Sequence, residues 1–139
     1  MITVLPYYSV LSNPSGSRGL SHVMTTTSIN GLATGTTNLF TVPSGCSFVL
    51  QQAVVRLVGV TGSATVGQVK IVDSTASVDL IANTTLTGLT STGKCFPLLT
   101  TAAVMSVVPA ESVVSFTIST AFTVATAVNL TVDLIGYLV

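Results

Sequence analysis

Charge is the scarcest commodity in this sequence. Lysine and arginine number 4, aspartate and glutamate 4, so 6% of the 139 residues are charged, against roughly 25% in ordinary soluble proteins. The cations Arg18, Arg56, Lys70 and Lys94 are scattered, which leaves no basic patch to neutralise phosphates and argues against a nucleic-acid partner. Tryptophan is absent and aromatics make up 6%, too few for the girdles of an outer-membrane barrel. Mean hydropathy is high at +0.82. Even so, Thr, Ser, Gly or Gln interrupts every apolar stretch before the roughly 18 residues that a spanning helix needs. No membrane location is expected. The opening MITVLPYYSVLSNP has no basic region and is broken by Pro6, so no export leader is expected either.

The inventory of reactive groups is equally thin. His22 is the sole histidine, and it stands in a Gly/Ser-rich lead-in that is a poor setting for a fixed general base. The acids are Asp73, Asp79, Glu111 and Asp133. Asp73 and Asp79 share one loop region, where a weak Ca²⁺ site is one reading, but their spacing matches no EF-hand, and turn capping by Asp side chains fits better. P-loop, dinucleotide-binding and zincin patterns are missing, and Gly59, Gly62 and Gly67 suit turns and bulges. Asn83-Thr84-Thr85 and Asn129-Leu130-Thr131 match the glycosylation sequon, as chance allows in a Thr-rich chain. Cys46 and Cys95 do not form a metal motif. They are read as two free, partly buried thiols, the alternative being a disulfide that ties two halves together. No catalytic residue, metal ligand or cofactor site is assigned, and the chain is expected not to be an enzyme.

What is abundant is β-forming, weakly polar surface. Hydrophobic residues make up 48%, an ordinary fraction, and Thr and Ser supply most of the rest. The length fits one domain. With zero net charge and few charges of either sign, neighbouring molecules repel one another weakly and association is favoured. The size scaling gives a surface of roughly 6,700 Å². Two neighbours each covering about 800 Å² would bury about a quarter of it. The composition therefore points to an assembly component.

Residues 41–60, TVPSGCSFVLQQAVVRLVGV, form the centre of the pattern: a turn at Val42-Pro43-Ser44-Gly45, then a long apolar strand. Phe48, Leu50, Val54, Val58 and Val60 fall on one face and Val49, Ala53, Val55 and Leu57 on the other, which predicts a strand covered on both sides. The second cover is expected to be a neighbouring subunit, with Gln51, Gln52 and Arg56 as hydrogen-bonding residues at that contact. A weaker echo of turn and strand begins at Val108-Pro109-Ala110-Glu111. Residues 112–120 alternate cleanly, with Val114, Phe116 and Ile118 inward. Residues 127–139 place Leu130, Val132, Leu134 and Leu138 on one face. Residues 66–73, 95–99 and 103–108 are further strands, while 80–86 fits a strand or a short helix. Residues 1–28, rich in turn chemistry and carrying apolar beads such as Ile2, Val4, Tyr7 and Tyr8, read as an extended arm that docks either on its own domain or on a neighbour. The domain proper is residues 29–139. About eight strands without a long helix predict an all-β antiparallel sandwich, a jelly roll with an N-terminal arm. An immunoglobulin-like sandwich is disfavoured by the missing Cys…Trp…Cys core.

Three stretches taken together, LFTVPSG at 39–45 with the Val-rich strand behind it, VPAESVVSFTISTAFTVAT at 108–126, and LTVDLIGYLV at 130–139, resemble the small jelly-roll proteins of tailed-bacteriophage particles, among them the head decoration or cement proteins. The resemblance covers about residues 37–139 and departs from the family's turn pattern at Ala110-Glu111. It implies a structural virion protein, a homotrimer on the capsid surface that bridges major capsid protein subunits and is assembled in the host cytoplasm. No functional residue is carried over. The alternative from another class is a carbohydrate-binding or adhesive sandwich module of a phage tail or fibre, for which the aromatic platform is thin.

Overall fold

The computed structural model describes Ile2–Thr3 and Ser21–Thr25 as backbone strands, and residues 28–100 and 107–139 with their side chains. The strands in chain order are β1 (Ile2–Thr3), β2 (Ser21–Thr25), β3 (Ile29–Asn30), β4 (Gly35–Thr41), β5 (Phe48–Thr61), β6 (Gln68–Asp73), β7 (Val78–Thr85), β8 (Cys95–Leu99), β9 (Val107–Val108), β10 (Val113–Thr120) and β11 (Ala127–Leu138). Eight of them are five residues or longer, and no helix occurs among the described residues.

All pairings are antiparallel and fall into two sheets. The first runs β1-β2-β11-β5-β8, with β3 also on β11 and β9 also on β5; the second runs β4-β10-β6-β7. The long strands pair as nested partners: β2 with β11, β4 with β10, β5 with β8, β6 with β7. First pairs with last, so the chain is one antiparallel ribbon folded over and wrapped into a two-layer sandwich, the jelly roll. Contacts β11–β5 and β10–β6 join neighbouring turns of the ribbon. Within the stretch read as an arm, Ser21–Thr25 pairs with Asp133 to Gly136 of β11, and Ile2–Thr3 pairs with β2. Apart from Ser28, the rest of that stretch lies outside the described residues, as does most of the strand expected at 103–108.

The core forms because β10 and β11 alternate as simple strands do. Val114, Phe116 and Ile118 from one sheet meet Leu130, Val132 and Leu134 from the other, all buried. Phe40 and Phe48 pack edge to face at 5.2 Å and 72°, a geometry that adds to their burial. Of residues 80–86, where periodicity left strand and helix open, all but the last fall in strand β7, which starts earlier at Val78 and ends at Thr85.

The reading of β5 as a strand covered on both faces is corrected by its register. Opposite β11 it carries one extra residue between Leu50 and Gln52 and another between Leu57 and Gly59. Each such bulge reverses the phase of alternation. Phe48 and Leu50, then Ala53, Val55 and Leu57, then Val60 all turn toward the core. The opposite face keeps Val49, Val54, Arg56 and Val58; Val49 is buried there outside the core cluster, so the strand is covered on both faces only at its first end, while Val58 is 44% exposed. Both sets of apolar residues that looked like two faces belong largely to one.

The turn before β5 and its echo before β10 are twins. Cys46 N–H donates to Pro43 O at 3.2 Å, and Ser112 N–H donates to Pro109 O at 3.3 Å. The third turn residue is left-handed in both, Gly45 at φ +78° and Glu111 at φ +65°, as a type II turn requires. They also bond to each other: Glu111 N–H donates to Val42 O at 2.8 Å, and Val42 N–H to Ser112 O at 2.9 Å.

Candidate assembly surface

The chemistry-bearing side chains are spread over the sandwich and mostly do structural work. Asp73 Oδ1 accepts from Thr75 N–H at 3.0 Å and Ala76 N–H at 3.1 Å, the turn capping expected of it. Asp79 takes Lys70 Nζ at 2.8 Å. Asp133, 3% exposed on β11, pairs with Arg56. Cys46 and Cys95 are free thiols. His22 lies on β2, opposite Ile135 in register. Among the described residues no three of His, Cys, Asp and Glu come together as a metal set, and no helix there is long and apolar enough to cross a membrane.

The two sheets present different outer faces. On the β4-β10-β6-β7 sheet, amides and hydroxyls bond to one another in a lattice. Gln68 Nε2 donates to Thr85 Oγ1 at 3.0 Å, Asn83 Nδ2 to Gln68 Oε1 at 2.9 Å, and Ser119 Oγ to Asn83 Oδ1 at 2.7 Å. Ser115 Oγ donates to Asn38 Oδ1 at 2.9 Å, and the Thr36 and Thr117 hydroxyls bond at 3.0 Å. Their hydrogen-bonding capacity is largely spent within the face, and none of these groups offers a stacking platform.

The other sheet ends in an apolar flank. In β8, Phe96 and Leu98 face the core opposite Val55 and Ala53, which sends Cys95, Pro97 and Leu99 outward opposite Arg56, Val54 and Gln52. Leu99 is 59% exposed, and Val107, further along the same side of β5, is 56% exposed. Pro97 has no N–H to donate, so it belongs on an edge strand, and β8 ends the sheet. That proline, inside the apolar run 95–99, is the sequence signal that locates this flank. Beside it lies an open groove of about 490 Å³ lined by Val54, Arg56, Val58, Thr92, Lys94 and Cys95, among others. The loop is held there by Leu57 N–H donating to Lys94 O and Gly93 N–H to Leu57 O, each at 2.9 Å. Arg56 was singled out by sequence; Lys94, Leu99 and Val107 were not, since only the fold brings them beside β5.

No protein-family model matches this chain, and no curated protein does. Among solved structures, the chain is similar to one in the "Cyanophage Pam1 capsid asymmetric unit", with a TM-score of 0.50 and 14% sequence identity over 87% of this chain and 83% of that one. At that identity the likeness is one of fold, a jelly-roll architecture that the two chains share over most of their lengths.

Proposed function

We propose that this protein is a structural component of a phage virion, a decoration protein that stabilises the capsid by bridging major capsid protein subunits. The observation that carries the reading is the shared fold with a chain of a phage capsid unit over 87% of the sequence. The surface supports it: the chain has 6% charged residues and an exposed apolar flank on one sheet, the makings of contact surfaces rather than of a reaction site. In this reading the chain is a homotrimer, and residues 29–139 are the body that rests on the shell. The segment before them supplies a second contact, which raises avidity without enlarging the first. Binding to the assembled shell and not to free capsid subunits stabilises the shell by mass action. Quantitative mass spectrometry of purified phage particles tests this. A copy number in a fixed ratio to the major capsid protein is expected, and absence from the particles overturns the reading.

A further inference from the structure

Three charged residues have no ion-pair partner among the described residues, and the two exposed ones, Lys94 and Glu111, are opposite in sign. The ion pairs are Arg56 with Asp133 and Lys70 with Asp79, and Asp73 caps its own turn. Lys94 and Glu111 are left over, both exposed. They cannot meet within one molecule. Lys94 is level with Leu57 of β5, while the turn holding Glu111 lies past the Phe48 end, where Val108 pairs with Phe48. The nine residues between those levels span about 30 Å of strand.

Each charge has apolar company. Lys94 lines the groove with Val54, Val58 and Cys95; Glu111 follows the exposed Ala110, in the turn that comes just after Val107, itself 56% exposed. The backbone adds an independent observation. Glu111 is left-handed at φ +65°, where the twin turn has Gly45. A side chain in that conformation costs of order 1 kcal/mol that glycine would avoid, so a carboxylate is kept at this tip against the preference of the turn. Ser77 and Val124 are left-handed as well; what sets Glu111 apart is that it carries a charge where its twin turn has glycine.

We propose that the Glu111 turn of one copy of this chain docks against the Lys94 groove of a second copy, so that the protein self-associates through the β5–β8 flank. The two patches match in charge and in apolar character, and their separation on one molecule makes the contact join different surfaces of the two copies. Such a contact closes into a ring when its rotation allows. This names the self-contact of the oligomer proposed above and rests on that part of the reading.

The test is sedimentation of the full chain over a concentration series. The wild type is expected to associate. Lys94→Glu and Glu111→Lys, which set like charges together, should each weaken association about tenfold or more. The double variant Lys94→Glu/Glu111→Lys should recover it to within about threefold, the coupling that a direct pair gives. A wild type that stays monomeric, single variants that associate normally, or a double variant as weak as the singles each overturn the contact. If circular dichroism shows a reversal variant unfolded, Lys94→Gln and Glu111→Gln take its place, and unchanged association in both overturns the contact. Particle copy number is measured separately. A chain that associates through these charges but is missing from particles sinks the capsid reading alone, and one that decorates particles while indifferent to these charges sinks the contact alone.

Discussion

Arg56 on β5 is ion-paired with Asp133 of the neighbouring β11, a carboxylate only 3% exposed. The two lie diagonally across the strand pair, since Arg56 is level with Thr131 and Asp133 with Val54. The pair draws one of the chain's few cations into the fold of a single molecule, whereas the sequence pattern placed Arg56 first at a subunit contact. Arg56→Ala should therefore lower stability. The expected loss is roughly 1–3 kcal/mol, between the ranges for exposed and buried pairs, because the arginine side chain is half-exposed. Urea denaturation checks this, with a lower midpoint at unchanged slope expected. A variant that keeps the wild-type midpoint and only loses its oligomeric state would return Arg56 to the interface.

Gly136 is held to glycine by the strand that crosses it. It faces the core on β11, beside the first bulge of β5, and a Cβ there would meet the Val49 carbonyl oxygen and, at 2.8 Å, the Phe48 ring. The carbonyl belongs to backbone and cannot swing aside. Gly136→Ala should destabilise the protein by roughly 1–3 kcal/mol, the range for overpacked sites. Thermal melting should show it, and a wild-type Tm would mean that β5 shifts freely at its bulge.

The twin turns predict opposite responses to reciprocal changes. Gly45→Ala puts a side chain on a left-handed residue and should cost roughly 1 kcal/mol, while Glu111→Gly relieves the same strain and should gain roughly 0.5–1 kcal/mol. If Glu111 also makes the intersubunit contact, Glu111→Gly will melt higher and associate less. Parallel melting and sedimentation of that one variant separate the two roles. A Tm that falls would show that the Glu111 side chain supports its own turn.

Much of the sandwich was legible because β10 and β11 are regular: Val114, Phe116 and Ile118, like Leu130, Val132 and Leu134, announce an inner face at period two. The turn at Pro43 was legible for a local reason, since proline and a glycine two residues on are written in four positions; at Pro109 the proline showed, but Glu111 gave no sign of the left-handed backbone it adopts. The bulges of β5 were not. One extra residue near Gln51 or Val58 leaves no mark in composition, yet it reverses every side chain beyond it, and the strand then mimics one buried on both sides. Of the flank beside Lys94, Pro97 marks the edge in the sequence, but the outward side chains were hidden because they depend on register. Only the pairing of residues 95–99 with β5 decides that Leu99 faces out and Leu98 faces in.

The last residues carry a large share of the fold. Leu134 and Leu138 are 1% and 4% exposed, and residues 135–138 pair with 48–52 of β5 while 134–136 also pair with β2. Val139 and Ser47 exchange two backbone hydrogen bonds, at 2.8 and 2.9 Å. Removing residues 134–139 strips two buried leucines, each contributing about 1.5–3 kcal/mol of burial. It also leaves the first half of β5 without its neighbour on one side. Together these losses rival the 5–15 kcal/mol that typically separates a folded domain from its unfolded chain. The truncated chain should show no cooperative thermal transition by circular dichroism. Leu134→Ala, which leaves the backbone ladder intact, should still fold but lose roughly 2–5 kcal/mol. A truncation that melts cooperatively would place the stability of the sandwich in the nested ribbons β4–β10 and β6–β7 alone, with β11 an accessory that closes the first sheet after the rest has formed.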